Sequence, residues 1–328
     1  MKIFKNLFKT VLILGFTCIA FASCDDDDDV EPTPVPVTNT IVDFVSKSAD
    51  YSILLEALKL ADGDLPATLA GDGPFTVFAP NNAAFTDFLT ANNYNALRDI
   101  PTDALKQVLL NHVVSGNAVS SSLSTGYGVS SLSTATPNEA NMSLYIDITD
   151  GVVINGTATV TTADISVDNG TIHAVNAVIG LPTVVTFAVA DPNFSILESA
   201  LTRDDLTYDF VGTLSTANGT APAPFTVFAP TNEAFVNLLA ELGVDSLADI
   251  AEPTLTNTLK MHAVASANVV AESLTDNMAI ETLGGTITAN IGDETTLTDS
   301  KSRVSKVIVT NVQASNGIIH AIDKVLLQ

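Results

Sequence analysis

Apolar residues follow three rhythms along this chain, and each rhythm occurs twice. The first is a near-continuous run: Pro74-Phe75-Thr76-Val77-Phe78-Ala79-Pro80 returns as Pro224-Phe225-Thr226-Val227-Phe228-Ala229-Pro230, 150 positions later. Phe75 and Val77 would lie on one face and Thr76 and Phe78 on the other, so a strand buried on both faces is predicted. The second rhythm is helical. Leu105, Val108, Leu109 and His112 keep i, i+3, i+4, i+7 spacing, and Leu255, Leu259 and His262 repeat the stripe. Asn81 and Thr231 are N-cap residues for helices that carry Phe85 and Phe235 inward. Asp191 before Pro192 opens a further helix with Phe194, Leu197 and Leu201 on one side. The third rhythm, from Leu144 to Val178, consists of short β-prone runs separated by Asp150-Gly151, Asn155-Gly156 and Asn169-Gly170, pairs that tolerate positive φ in hairpin turns. The prediction is α+β: helices first, then a mostly antiparallel sheet.

Aligning the copies fixes the domain organisation. Thr40 to Phe44 matches Thr183 to Phe187, and Tyr51-Ser52-Ile53-Leu54 matches Phe194-Ser195-Ile196-Leu197, both with an offset of 143. The heptapeptides are offset by 150, so the second copy has gained seven residues, expected in the loop-like segment Ser215 to Pro222. Asn169-Gly170-Thr171-Ile172-His173-Ala174 matches Asn316-Gly317-Ile318-Ile319-His320-Ala321. The domains are therefore 40–182 and 183–328, joined near Pro182 with almost no linker and held at a fairly fixed angle.

Residues 1–23 read as an address. Lys2, Lys5 and Lys9 precede an apolar stretch from Val11 to Ala22, shorter than the roughly 20 residues of a membrane span. Phe21-Ala22-Ser23-Cys24 resembles a bacterial lipobox, with Phe21 where Leu is usual, which makes Cys24 the expected lipid attachment site. Thr17 precedes Cys18 and no polar tether follows it, so Cys18 is the poorer candidate. Residues 24–39 form a tether: Asp25 to Asp29, then a proline-rich spacer that favours an extended leash. An acidic run just after the lipid cysteine resembles the export signal of surface-exposed lipoproteins.

Charge narrows the partners. The formal balance is −24, and loss of the three leader lysines takes it to −27. Such a surface repels nucleic acid and anionic headgroups, so nucleic-acid binding is set aside. Cys18 and Cys24 are the only cysteines, and the folded part must be held without disulfides. Trp is absent, and aromatics are few.

Phe75 to Phe85, and again Phe225 to Phe235, resemble the first signature of fasciclin domains. The second signature is complete as Asn316-Gly317-Ile318-Ile319-His320-Ala321-Ile322-Asp323, while the first copy has Val175 and Asn176 in place of Ile and Asp. The resemblance covers Thr40 to Gln328 and implies tandem fasciclin-like domains, each a β-sandwich or wedge with flanking helices. It also implies adhesion at cell surfaces or in matrix, with polysaccharide binding in some members. Integrin-engaging animal members are associated with a Tyr-His pair after the helix. Here Asn111-His112 and Met261-His262 lack the tyrosine, so that activity is not carried over.

The motif residues Phe75, Thr76, Phe78, Pro80, Phe85, Phe225, Thr226, Phe228, Pro230, Phe235 and Asp323 are assigned to structure, as are His112, His173, His262 and His320. Two imidazoles per domain and no thiol make a poor zinc set, and neither metal nor cofactor is expected. Nucleophile-elbow, P-loop and His-Glu-x-x-His patterns are missing, and no carboxylate pair stands out for glycoside hydrolysis. The expected function is a lipid-anchored, non-enzymatic outer-membrane protein exposed at the cell surface. It would bind an extracellular protein, matrix component or glycan. Polysaccharide capture for nutrient uptake is the alternative, ahead of a carbohydrate-active hydrolase.

Overall fold

The computed structural model describes residues 39–328. The leader, Cys24 and the acidic run lie outside the described residues. The first half runs α1 (Ile41–Lys47), α2 (Ser52–Leu60), α3 (Leu65–Ala70), β1 (Phe75–Pro80), α4 (Asn82–Ala91), α5 (Thr102–Leu110), β2 (Val113–Ser115), β3 (Gly126–Ser130), β4 (Ser143–Asp147), β5 (Val153–Ile154), β6 (Ala158–Val167) and β7 (Gly170–Val175). The second repeats it as α6 (Val184–Ala190), α7 (Ser195–Leu201), α8 (Phe210–Leu214), β8 (Phe225–Pro230), α9 (Asn232–Leu242), α10 (Glu252–Lys260), β9 (Ala263–Ala265), β10 (Met278–Glu281), β11 (Thr286–Ile291), β12 (Thr295–Thr298), β13 (Val304–Ala314) and β14 (Gly317–Ile322).

Each half holds one seven-stranded sheet, β2-β1-β7-β6-β5-β4-β3 and, in the same order, β9-β8-β14-β13-β12-β11-β10. Every pairing is antiparallel except β1 with β7 and β8 with β14. The sheet curls until its ends meet. Leu132 N–H donates to Val113 O, and Leu283 N–H to Ala263 O, both at 2.8 Å. A wedge closed on itself, rather than two facing sheets, is the observed form of the expected architecture.

The duplicated heptapeptide is buried on both faces, as its composition predicts. Val77 and Ala79 face the helices with Phe85, Leu105 and Leu109, while Phe78 points into the curl with Leu144, Ile146 and Val175. In the second copy Phe225, Val227 and Ala229 meet the helical core and Phe228 fills the curl. The helix after each strand begins as the caps predict, with Asn81 Oδ1 accepting from Ala84 N–H at 2.9 Å and Thr231 Oγ1 from Ala234 N–H at 3.4 Å. Two helical expectations shift slightly. Pro192–Phe194 is a 3-10 turn that leads into α7, and α5 and α10 stop two residues before His112 and His262.

A buried asparagine ties the helices to the sheet. Asn169 Oδ1 accepts from Ile41 N–H at 3.0 Å, while its amide donates to Leu69 O at 2.7 Å and Gly71 O at 2.9 Å. Asn316 repeats this with Val184 N–H at 3.0 Å, Leu214 O at 2.8 Å and Thr216 O at 2.9 Å. These equivalent bonds also correct the placement of the insertion. Leu69 and Leu214 are offset by 145, so two of the seven extra residues precede α8 and five follow it. The two precede α8 in the segment where Arg203 reaches Leu247 O at 2.6 Å and Ile250 O at 2.8 Å, bracing the α9–α10 connection.

The halves join through buried contacts. Along β4, Leu144 and Ile146 fill the first curl, whereas Tyr145 belongs to the second domain's core. Tyr127 sets its ring edge-on to Phe187, centroids 5.5 Å apart. Gln313 N–H donates to Ser143 Oγ at 3.0 Å, and Ser315 N–H and Oγ–H both donate to Pro182 O at 2.8 Å. Gly156 packs so closely on α6 that an added Cβ would sit 3.2 Å from Ala190.

Removing one clamp should be costly. Asn316→Ala leaves one buried donor, one buried acceptor and one half-buried acceptor without partners, so stability to urea should fall by roughly 2–4 kcal/mol. A loss below about 0.5 kcal/mol, within the range of ordinary surface substitutions, would show that the clamp is dispensable.

Candidate functional site

The signature side chains are engaged with the backbone. Thr76 Oγ1 donates to Gly116 O and accepts from Ala118 N–H, both at 2.8 Å. Thr226 makes the same pair with Ala267 O and Val269 N–H, both at 2.9 Å. Phe75 is half-buried, whereas Phe78, Phe85, Phe225, Phe228 and Phe235 are fully buried, and Pro80 and Pro230 close their strands inside the fold. Asp323 is exposed but accepts from Lys306 N–H at 2.7 Å, and Asn176 does the same for Thr159 N–H at 2.8 Å in the first copy. Replacement of the acid by an amide in the first domain's signature thus preserves the bond. The structure assembles these residues into two interiors and brings no reacting group among them to a common surface.

The four histidines form two matched pairs. His112 Nδ1–H donates to Val108 O at 2.8 Å, and Nε2 accepts from Ile179 N–H at 2.8 Å. His262 does the same with Thr258 O at 2.8 Å and Leu326 N–H at 2.9 Å. A carbonyl at one nitrogen and an amide N–H at the other require the neutral imidazole. Burial pushes both pKa values down from 6.5 to about 4, against a smaller opposing effect of the backbone carbonyl. His173 and His320 use the opposite tautomer. Nε2–H donates to Ala118 O at 2.9 Å and Val269 O at 2.8 Å, and Nδ1 accepts from Asp164 N–H and Asn311 N–H at 3.2 and 3.3 Å. Their rings stack on Phe78 and Phe228, with centroids 5.5 and 5.6 Å apart. With both nitrogens occupied, none of the four is placed as a metal ligand, and no group of three His, Cys, Asp or Glu suited to a metal occurs among the described residues.

Open concave surface lies elsewhere. A cleft of about 390 Å³ opens between the domains, lined by Tyr127, Tyr145, Asp191, Asn193, Thr310 and Asn311 among others. Asp191 is buried and caps its turn by accepting from Asn193 N–H and Nδ2–H at 3.0 Å each. The Tyr127 hydroxyl is buried beside the Asp191 carboxylate, close enough to interact with it although short of ordinary hydrogen-bond geometry. Burial first, and the Asp191 carboxylate second, raise the pKa of Tyr127 and push that of Tyr145 up to about 12. Both tyrosines therefore stay neutral donors. The sequence marked Asp191 only as a helix cap and gave no sign of Tyr127, because the cleft exists only once the domains meet.

The pH response has a definite sign. An unfolded histidine titrates near 6.5 and these folded ones near 4, so acid favours unfolding. Their stabilising share is complete above about pH 6.5 and is lost as pH falls towards 4. Between pH 7 and 4.5 that loss is roughly 2–3 kcal/mol per histidine. Urea unfolding of His112→Gln or His262→Gln should show a pH-dependent loss smaller by that amount than the parent. Parallel pH profiles would contradict a buried neutral imidazole.

Comparison with known proteins places these features in a family. The fasciclin domain model matches residues 49–182 and 192–328. Protein sll1483 of Synechocystis is 32% identical over 173 residues, 52% of this chain and 91% of that protein. Transforming growth factor-beta-induced protein ig-h3 of Sus scrofa is 29% identical over 263 residues, 79% of this chain. The match covers 35% of the porcine protein, so this chain spans about a third of its length. A solved FAS1 domain pair from the insect cell adhesion molecule fasciclin I is 19% identical, with a TM-score of 0.49 over 83% of this chain and 95% of that one. With two matches in tandem, this chain belongs to the fasciclin-domain family.

Proposed function

We propose that this chain is a non-enzymatic adhesion or binding protein, held by lipid at Cys24 on the outer membrane and displayed at the cell surface. Its partner would be an extracellular protein, matrix component or glycan. The observation that carries the reading is the division of labour within the domains. The signature residues of both copies are consumed by core packing and backbone hydrogen bonds, leaving recognition to exposed surfaces that differ between the copies. Fasciclin domains occur in cell-adhesion proteins, which supports the same reading. Two domains tied by buried contacts would present their surfaces in a set relation. Many anchored copies would then strengthen weak individual contacts through effective concentration.

The anchor and the activity are separately testable. Cys24→Ala should abolish incorporation of labelled fatty acid and release the protein from membranes; continued labelling would place the lipid elsewhere. Deletion of the gene should weaken attachment or biofilm formation while growth on individual glycans is unchanged. Equal attachment of deletion and parent strains under several conditions would remove the adhesion reading, and a growth defect on one glycan would favour nutrient capture.

A further inference from the structure

A groove walled mainly by the first domain, with Thr186 of α6 at its edge, has a counterpart in the second. In the first it occupies about 630 Å³ between α4, α5 and the segment from Asn176 to Pro182. The counterpart, about 310 Å³, lies between α9, α10 and the chain's last residues. Phe88, Asn92, Ile100, Ala104 and Val108 of the first groove correspond to Leu238, Leu242, Ile250, Thr254 and Thr258 of the second, with the offset of 150 that relates the heptapeptides. The position is shared and the chemistry has diverged. Two half-buried rings, Phe88 and Tyr94, stand in the first groove where the second domain has Leu238 and Val244. The first groove also gathers three amides, Asn92, Asn155 and Asn176, and the hydroxyls of Thr157 and Thr186.

Asn155 distinguishes this groove from a packing defect. It is 4% exposed, and its Oδ1 accepts from Tyr145 N–H at 2.8 Å, which fixes the amide's orientation. Its Nδ2 is buried with no partner among the described residues. An unpaired buried amide costs on the order of 1–3 kcal/mol, so the fold bears a standing penalty just behind the groove wall, which an acceptor would relieve on a small shift of that wall. Among the described residues, Asp87 is the only charged one lining the groove. An anionic ligand would find no cation there, and a cationic one would find a single exposed carboxylate. A neutral ligand rich in hydroxyls satisfies what is present. A hydroxyl accepts from Asn155 Nδ2 and donates to neighbouring amide or hydroxyl oxygens, while the C–H faces of a sugar ring pack on Phe88 and Tyr94.

We propose that the first-domain groove is a binding site for a neutral saccharide, with Asn155 as the buried donor and Phe88 and Tyr94 as the apolar wall. The inference rests on the reading that the chain acts by binding outside the cell, and it supplies the ligand class and the face.

The test is calorimetric titration of the soluble chain from Val30 onward, which contains every described element. Neutral cello-, manno-, malto- and chito-oligosaccharides would be compared with uronate and sulfated series, a lysine-rich peptide and a neutral peptide. At least one neutral series should bind at one site per chain. Asn155→Asp keeps the acceptor for Tyr145 N–H but removes the donor, and should weaken binding by roughly tenfold or more. Phe88→Leu combined with Tyr94→Val installs the second domain's residues and should do the same, with circular dichroism and urea midpoint checking the fold. If Asn155→Asp does not fold, this double variant decides. Leu242→Ala, in the second groove, should leave affinity unchanged. Absence of binding by every neutral series would overturn the proposal. So would a preference for charged ligands or the neutral peptide, or affinity that survives the groove variants. Saccharide binding without an attachment phenotype would remove adhesion and keep the groove; the reverse would remove only the groove.

Discussion

The close approach of β7 to β1, and of β14 to β8, is the constraint from which the rest of each domain follows. These are the parallel pairs in otherwise antiparallel sheets, so the chain must leave β1, pass through two helices and five strands, and return beside it. At the point of return the backbones are so near that a Cβ on Gly170 would fall 1.9 Å from Phe75 O, and one on Gly317 2.3 Å from Phe225 O. Only glycine fits. The preceding asparagine uses the same corner to hold the N-terminus of the first helix and the end of the third. One dipeptide thus fixes strand pairing and helix docking together.

Around that corner the histidines of the family motif, with Thr76 and Thr226, are paired in both copies. The four histidines, Thr76 and Thr226 each bond to backbone atoms, and these bonds match between the copies. Buried polar groups left unpaired are expensive, whereas paired ones specify which segments meet. This explains how signature residues can persist through duplication while surface loops change length. It also explains why the motif identifies the fold and is a poor guide to a ligand. Tyr127 and Asn155, whose buried polar atoms lack well-formed hydrogen bonds among the described residues, lie outside the signatures and line concave surface.

The joint between domains is built from residues whose neighbours serve the sheet. β4 alternates in the usual way, with Leu144 and Ile146 turned into the first curl. Tyr145 points away and is only 1% exposed because the second domain covers it. With Tyr127 against Phe187 and Gly156 against Ala190, it makes the two copies one continuous body.

The sequence by itself determined the duplication, the two-faced burial of Phe75 to Pro80, the helix caps at Asn81 and Thr231, and the hairpin turns at Asp150-Gly151 and Asn155-Gly156. These are local matters of periodicity, propensity and side-chain size, and they hold wherever the segments end up. The sequence likewise assigned His112 and His262 to the interior, since a polar residue on an apolar stripe must find a partner there. It could not name the partners, which lie 67 and 64 positions away. It put the whole insertion after α8, because offsets between motifs count residues without showing where the backbone departs. Only the tertiary structure decided that Tyr145 belongs to the joint, and that Phe88, Tyr94 and Asn155 share a groove with Asn176. Those residues come from separate elements, and their proximity is set by sheet curl and helix docking.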